Sequence, residues 1–396
     1  MEDTIFENEV ALVLIVKNES RYIGEWLEYH YRIGVDKFYI YNNDSDDRSE
    51  LLKILEPWIR AGIVDFEDAP GVFKQMPVYN DALEKHRFDC RYMGFLDADE
   101  FIYIKNGKTL PKFLKDHFAM SDWIAGLGIN WRMFGTSGKQ NYEPIDVIER
   151  FIQRAKDNYN ANIHIKSIVN PRRVLSFMNP HSATYFPTSA CYDDSGDLIP
   201  SFSRIASDKD SIQVNHYFTK SVEEYSMKNA RGRSDFVGGR DANLNHDLES
   251  VEDTGLKNLW RQLKSRPINF NKDRTNSLDS VRKMLASNFT IESLMTCLNL
   301  IQHSDLLDEN EKLSIEEFLL ESLINLINDK EIQPWDFTLI LSESPEILRV
   351  RSNLSIELLR RCTIAIPQLI LICESETRRE CRFFLRQIQR MLEVIF

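Results

Sequence analysis

Short apolar runs alternate with amphipathic segments in the first quarter of the chain. The run Val10–Val16 is too short to span a membrane and is typical of a central strand. The next segment stops at Gly34 and has apolar and aromatic residues at helical spacing, namely Ile23, Trp26, Leu27, His30 and Tyr31. This spacing predicts a helix, and Lys37–Tyr41 then predicts a second strand.

The same alternation continues along the chain. A helix carrying Leu51 and Leu55 is predicted, with Asp46 or Asp47 as its cap. The elements predicted after it are a strand at Ile63–Phe66, a helix at Tyr79–His86 and a strand at Tyr92–Leu96. Alternating strands and helices predict an α/β fold with a largely parallel sheet and helices on both faces.

Two carboxylates, Asp97 and Asp99, come directly after the strand Tyr92–Leu96. Open α/β sheets bind ligands at the carboxyl ends of their strands. A carboxylate pair on a rigid strand end suits a hard divalent cation that bridges a diphosphate. An Asp-x-Asp pair alone is a weak signal, because a solvated turn has the same composition.

Four strings in order give that pair a context. They are Val13-Leu14-Ile15-Val16-Lys17-Asn18-Glu19, Glu25-Trp26-Leu27-Glu28-Tyr29-His30, Asn42-Asn43-Asp44-Ser45-Asp46-Asp47 and Phe95-Leu96-Asp97-Ala98-Asp99-Glu100-Phe101. Together they resemble nucleotide-sugar glycosyltransferases of the GT-A fold, in the branch of the family 2-like and family 92 enzymes, over roughly residues 8 to 235. The resemblance implies a Rossmann-like, mostly parallel sheet, a UDP-sugar donor with galactose favoured, and transfer with inversion.

The resemblance also implies roles for residues at the strand ends. Asn18, Glu19 and Asp44 would line the nucleotide pocket, where they can accept hydrogen bonds from uracil or ribose. For Asn18 and Asp44 the alternative is turn and cap chemistry. Asp99 would bind the metal directly and Asp97 either the metal or the ribose.

A third metal ligand is expected downstream, and His216 is the candidate that the resemblance indicates, with His181 as the other. Imidazole with carboxylates suits Mn²⁺, and Mg²⁺ is the alternative ion. Lys220 is assigned to nucleotide-sugar binding with His216, four residues before it. A lone histidine of this kind can equally be structural.

The middle of the chain resembles the sugar side of such enzymes. Trp131 and Phe134 can stack on a pyranose face or form a core aromatic pair. Lys166 can neutralise the leaving diphosphate or lie on the surface with only its stem buried. The strand that leads to Trp131 contains Gly126 and Gly128, which permit close approach of another group.

The expected mechanism rests on charge. Asp97, Asp99 and His216 would hold Mn²⁺ or Mg²⁺ against the diphosphate, and a carboxylate would take the proton of the acceptor hydroxyl. No motif places this base. Glu143 and Asp193 are the catalytic candidates, Asp194 and Asp235 lie in comparable segments, and each of the four can instead be a surface acid.

Composition excludes some classes of protein. The 396 residues carry a net charge of −12, which argues against a general nucleic-acid-binding surface. The six cysteines form no Cys-x-x-Cys pair, so neither a zinc site nor a disulfide framework is indicated. The acidic start of the chain lacks a signal-peptide core. We therefore expect a cytoplasmic enzyme, in contact at most with the inner face of the membrane, that builds a bacterial surface polysaccharide or lipooligosaccharide.

The pattern changes near residue 240. Lys228, Arg231 and Arg233 form a basic patch that can close over a diphosphate or be a solvated helix end. We predict a GT-A domain over residues 1–242, a linker or short helical excursion over 243–276 and a helical domain over 277–396. Its last helix, Arg378–Phe396, is basic and amphipathic. It can pack in a bundle, form a homodimer or contact a membrane that carries a lipid-linked acceptor.

Two function classes stay open from sequence. The first is a glycosyltransferase that uses a UDP-sugar donor and a glycan or lipid-linked oligosaccharide acceptor. The alternative is a catalytically inactive scaffold protein that acts through its helical domain. A nucleotidyltransferase is disfavoured because Lys17-Asn18-Glu19 is not a Gly-rich phosphate-binding signature.

Overall fold

The structure is a computed structural model that describes residues 8–87, 89–121, 123–186, 189–231 and 246–268. These residues belong to one compact unit, Asn8–Lys272. The predicted domain boundaries at 242 and 276, the helical domain 277–396 and its last helix lie outside the described residues, and so do Arg233 and Asp235.

Strands and helices alternate in the first half of this unit. The strands are β1 (Asn8–Val16), β2 (Lys37–Asn42), β3 (Val64–Asp68), β4 (Cys90–Phe95), β5 (Glu100–Ile104), β6 (Ile124–Met133), β7 (Gln153–Arg154), β8 (Ile165–Val169), β9 (Val174–Phe177), β10 (Ala183–Tyr185), β11 (Ala190–Tyr192), β12 (Leu198–Ile199), β13 (Ile212–His216) and β14 (Val251–Glu252). The α-helices are α1 (Ser20–Ile33), α2 (Arg48–Arg60), α3 (Gln75–His86), α4 (Leu110–Phe118), α5 (Val147–Arg150), α6 (Val222–Ala230) and α7 (Gly255–Lys264).

The main sheet has the strand order β12-β11-β6-β8-β4-β1-β2-β3, and β13 pairs with both β5 and β6. The neighbours β4, β1, β2 and β3 are parallel, as predicted. Strand β8 differs, because it runs antiparallel to both β4 and β6. The α/β class is confirmed, but the sheet is mixed. The segment between β6 and β8 contains the short elements α5 and β7 and a 3-10 helix at Asn160–Ile163, and no long crossover helix of the kind that joins parallel strands.

Strand β1 is buried on both faces, which explains its unbroken apolar run. Val10, Leu12, Leu14 and Val16 pack in one core cluster, which includes residues of α1, α2, α4 and α7. Ala11, Val13 and Ile15 face the opposite cluster, which includes residues of α3 and β9. Successive strand residues point to opposite faces, so one short run supplies two cores.

The predicted helix α1 begins at Ser20 and ends before Gly34, whose φ of 110° is a left-handed conformation that favours glycine. Asp47 lies at the cap position of α2, but its side chain makes no capping bond there. Its carboxylate instead accepts a hydrogen bond from the backbone N–H of Ser20, at 2.9 Å. Asp47 therefore ties the start of α1 to the start of α2.

Strand pairing determines which residues meet at one edge of the sheet. The parallel strands β1, β2 and β4 all end at this edge, where Val16 lies opposite Asn42. Strand β13 brings His216 opposite Glu100 of β5 and Met133 of β6. The histidine is therefore next to the loop that carries Asp97 and Asp99. In the described part of the chain, no helix has the length and apolar content needed to cross a membrane.

Candidate functional site

The loop between β4 and β5 carries the acid pair and is fixed at both ends by backbone hydrogen bonds. Leu96 donates to the carbonyl of Val13 in β1 at 3.2 Å, and the N–H of Tyr217 donates to the carbonyl of Asp99 at 2.8 Å. Asp99 is 5 % exposed. The sheet thus holds the pair at a defined position at the carboxyl ends of its strands.

Asp99 is buried beside two basic side chains. The Lys228 ammonium pairs with its carboxylate and also donates to the carbonyl of Phe218 at 3.0 Å. Nε2 of His216 lies 3.4 Å from Oδ1 of Asp99. Burial alone would raise the pKa of Asp99, but Lys228 and His216 hold it well below its usual range. Asp99 is therefore ionised.

Asp97 faces a different set of partners. Lys166 donates to its Oδ2 at 2.9 Å, and Gln75 donates to its Oδ1 at 3.0 Å. Lys166 is 1 % exposed, so the alternative of a surface lysine is wrong. Its ammonium also lies 3.3 Å from Oε2 of Glu100. Burial raises the pKa of Glu100 well above its usual range, so Asp97 is the main counter-charge of Lys166.

Glu100 both begins β5 and makes a polar contact, because its Oε2 accepts the backbone N–H of Asp97 at 2.8 Å. This bond closes the acid loop on itself and fixes the direction in which Asp97 leaves the strand.

Glu19 is the acidic residue at the end of β1. It is 5 % exposed, and the Arg231 guanidinium pairs with its carboxylate. Arg231 also donates to the carbonyl of Asn18 at 3.1 Å. Lys228 in α6 and Arg231 directly after it are therefore not solvated, because each of them pairs with one acid of the sheet edge.

A cavity of about 190 Å³ lies over this edge. It is lined by the predicted site residues Glu19, Asp97, Asp99, Trp131 and His216. The other residues that line it are Ile15, Val16, Lys17, Asn43, Gln75, Ala98, Pro180, His181, Phe218, Lys228 and Arg231. A second cleft of about 470 Å³ shares Glu19, Lys228 and Arg231 with the first, and Asn18 and Lys220 line this second cleft.

Several predicted residues have other contacts. Asn18 has a φ of 54°, and its side chain accepts from the N–H of Asp46 at 2.7 Å. Asp44 is exposed, has a φ of 51° and accepts from the N–H of Gly71 at 2.7 Å. Both therefore show the turn chemistry that was the alternative for them. Asn43, one residue earlier, lines the cavity in the place expected for Asp44.

The candidate bases are not among the residues that line the cavity. Glu143 pairs with Lys139 at 3.0 Å. Asp193 is 3 % exposed and pairs with Arg204 at 2.7 Å. A catalytic role for Glu143 or Asp193 stays a prediction, which the geometry of the cavity does not support.

The remaining predictions concern aromatic and basic residues. Phe134 packs in the core against Tyr217, with ring centroids 4.7 Å apart, so it is a core aromatic. Lys220 has a φ of 52°, and its ammonium lies 4.2 Å from the centroid of the Tyr22 ring. It therefore faces the second cleft, while Lys228 takes the position beside Asp99.

Comparison with known families identifies the chain. The family model described as Glycosyltransferase family 92 matches residues 14–252. The chain belongs to glycosyltransferase family 92. The match extends from β1 to β14 and so contains every residue that lines the cavity.

Two plant proteins illustrate the similarity of this family 92 chain to curated relatives. A glycosyltransferase family 92 protein of Ricinus communis is 24% identical over 231 residues, which are 58% of this chain and 39% of that protein. The galactan β-1,4-galactosyltransferase GALS1 of Arabidopsis thaliana is 34% identical over 105 residues, which are 24% of this chain and 21% of that protein. The chain thus spans well under half the length of these relatives.

Among solved structures, the crystal structure of S. aureus TarS 1–349 in complex with UDP is 13% identical to this family 92 chain. The alignment covers 98% of this chain and 92% of that one with a TM-score of 0.28, a value too low to support an argument.

Gln75 is a cavity residue that carries no signal in the sequence. Gln75 is the first residue of α3, and only the folded chain brings it to Asp97. In the described part of this family 92 chain, no group of three or more His, Cys, Asp or Glu side chains is arranged to hold a metal ion. Asp99 and His216 nevertheless supply adjacent oxygen and nitrogen donors, which is a donor set that Mn²⁺ accepts.

Proposed function

We propose that this protein transfers a sugar, with galactose favoured, from a UDP-sugar to a hydroxyl of a glycan acceptor, with inversion. The observation that carries the proposal is the convergence of Glu19, Asp97, Asp99, Trp131 and His216 on one cavity at the carboxyl edge of the sheet. Membership of glycosyltransferase family 92 supports the reaction class, and the names of the galactan galactosyltransferases support galactose.

The cavity extends along the edge of the sheet across several strands. Val16 is the last residue of β1 and Asn43 follows β2, whereas Trp131 is on β6, which lies three strands from β1 in the sheet. At about 4.8 Å a strand, this separation is roughly 14 Å. The nucleoside would lie at Val16, Lys17 and Asn43, the diphosphate over the acid pair and the sugar towards Trp131.

The charges in the cavity suit a leaving diphosphate. A divalent ion held by Asp99 and His216, with Asp97 nearby, would stabilise the charge that develops as the sugar–phosphate bond breaks. Lys228 and Arg231 can donate to phosphate oxygens once they have released Asp99 and Glu19. Lys166 holds Asp97 in place from beneath the loop, with only 1 % of its own surface exposed. The requirement for Mn²⁺ or Mg²⁺ is part of the proposal.

The test is calorimetric titration of UDP, with and without Mn²⁺, into wild type and Asp99→Asn. The matched control is Asp116→Asn, because Asp116 is an exposed acid on α4 that pairs with Lys108 and Lys112. We expect UDP binding that requires both the metal and Asp99 and that is unchanged in the control. Binding that survives in Asp99→Asn, in a protein shown by circular dichroism to be folded, would contradict the assignment.

The inactive scaffold is the competing function. A protein that binds UDP but never hydrolyses any UDP-sugar, with or without an acceptor glycan, would support it. Slow hydrolysis of one UDP-sugar by water, abolished in Asp99→Asn, would support the enzyme and identify the donor.

A further inference from the structure

One end of the cavity continues into a row of aromatic rings that reaches the protein surface. The ring of His216 lies 4.4 Å from that of Trp131, centroid to centroid. Trp131 lies 5.1 Å from both His164 and His181. His164 lies 6.1 Å from Phe202 and His181 lies 6.4 Å from it. We call Trp131, His164, His181 and Phe202 the aromatic row.

The row begins inside the cavity and ends in solvent. Trp131 and His181 line the cavity, and Phe202 is 45% exposed. Ile163 precedes His164 in the chain, and its carbonyl accepts from the N–H of Arg204 at 2.8 Å; Ile163 and Ile205 are 38% and 82% exposed. Exposed apolar surface that is continuous with a ligand cavity is typical of a binding site rather than of a solvated face.

The row contains no carboxylate, lysine or arginine. Nδ1 of His181 lies 3.1 Å from the carbonyl of Ile165. The nearest cations are already neutralised: Lys166 pairs with Asp97, and Arg204 pairs with Asp193 and Asp210. An anionic ligand would therefore gain little here, whereas a neutral ligand with apolar faces would be well matched.

The position of the row also separates it from the donor. The nucleoside end of the cavity lies at β1 and β2, and the row leaves from β6 on the opposite side of the acid pair. A second substrate must reach the sugar from a direction that the nucleotide does not occupy. Sugar rings present faces of C–H groups that pack on aromatic side chains, and their hydroxyls remain solvated at the sides.

We propose that the aromatic row is the acceptor subsite and binds a neutral oligosaccharide, whose growing end lies at Trp131 and whose preceding sugar units lie on His164, His181 and Phe202. This inference rests on the proposed function, since it takes the donor to be at the acid pair. It adds the chemical class of the acceptor and its direction of exit from the cavity.

The test uses Phe202→Ala, because Phe202 is exposed and its loss leaves the cores intact. The matched control is Trp123→Ala, an aromatic that is 57% exposed at the other end of β6, and Phe202→Tyr is the conservative variant. The probes are short and long neutral β-1,4-galacto-oligosaccharides, titrated by NMR without donor. UDP binding with Mn²⁺ is measured on the same samples.

We expect Phe202→Ala to weaken binding of the long oligosaccharide by about 3- to 10-fold, the range that loss of one aromatic contact gives. Phe202→Ala should bind short oligosaccharides and UDP as the wild type does. Phe202→Tyr and Trp123→Ala should bind the long oligosaccharide with the affinity of the wild type. In turnover, the KM for the long acceptor should rise while kcat is retained.

Other outcomes separate the two proposals. If wild type binds UDP but binds no neutral oligosaccharide, or binds them equally well after Phe202→Ala, the acceptor subsite is wrong and the donor site stands. If UDP does not bind at all, the proposed function fails, and binding of oligosaccharide along the row would then indicate a glycan-binding protein.

Discussion

Removal of the Lys228 ammonium should destabilise the protein in a way that a divalent metal reverses. Lys228 and Asp99 form a pair whose side chains are 10% and 7% exposed. In Lys228→Met the carboxylate loses its main counter-charge and keeps the contact with His216 and the weaker influence of Lys220. Breaking a buried pair by removing one partner costs about 3–5 kcal/mol.

The magnitude can be followed as a shift in melting temperature. For a unit of this size, 1 kcal/mol corresponds to about 2–4 °C, so we expect the variant to melt roughly 6–20 °C lower in the absence of metal. The difference should shrink on acidification, because burial favours the protonated form of an unpaired Asp99. The matched control is Lys112→Met, since Lys112 and Asp116 form an exposed pair worth at most about 1 kcal/mol.

Mn²⁺ should then stabilise the variant more than the wild type. An ion at 100 times its dissociation constant adds about 2.7 kcal/mol. In the wild type, part of this gain would be lost, because an ion bound by Asp99 would first have to displace Lys228. Differential scanning calorimetry with and without Mn²⁺ measures both effects. Equal stabilisation of the two proteins, or an unchanged melting temperature of the variant without metal, would refute the idea that Lys228 and the ion compete for Asp99.

Three further predictions concern stability. Burial raises the pKa of Glu25 from 4.5 to about 7. The free energy of unfolding that its neutral form contributes is therefore complete below pH 4.5 and is lost as the pH rises to about 7. In Glu25→Gln the loss of stability between these two pH values should be smaller by about 1–3 kcal/mol, as measured by urea unfolding at a series of pH values. Arg150→Met should cost about 3–5 kcal/mol in urea unfolding, because it breaks a bidentate buried pair with Glu224 at 2.7 and 2.9 Å. Gly126→Ala should lower the melting temperature, because the added Cβ would lie 2.1 Å from Oη of Tyr185. The expected loss of stability is about 1–3 kcal/mol. Equal stability of the variant and the wild type would show that Tyr185 moves freely.

Local patterns explain why the N-terminal half of the fold could be predicted. Seven apolar residues in a row fit a strand buried on both faces, and β1 indeed supplies both cores. The left-handed conformation at Gly34 ends α1 where the sequence indicated. Both features depend on neighbours within a few residues, which a sequence displays directly. The antiparallel strand β8 was not predicted, because its direction depends on the connection from β6 and not on its own residues.

Order along the chain was enough to predict the acid pair, whereas Glu19, Trp131 and His216 were assigned to the site by the family resemblance. Asp97 and Asp99 follow a strand, so their place at the sheet edge could be inferred from β4 alone. The choice between Asn43 and Asp44 could not be made in this way, because both residues follow β2 and the backbone of Asp44 has a φ of 51°. The Asp44 carboxylate accepts from the N–H of Gly71, a contact that the sequence does not show, and Asn43 lines the cavity instead.

The ion pairs that Lys228 and Arg231 form with the acids of the sheet edge could not be predicted from the sequence. Lys228 and Asp99 are 129 residues apart in sequence, and Arg231 and Glu19 are 212 apart. The sequence shows a basic patch, but the same patch in solvent would contribute almost nothing to stability. The patch contributes to stability because its partners are buried acids. Burial is a property of the whole fold. Under the proposed function, Lys228 and Arg231 would give up their contacts with Asp99 and Glu19 when a diphosphate and a metal ion enter. Substrate affinity would then depend on the ion pairs that are exchanged as well as on the acid pair itself.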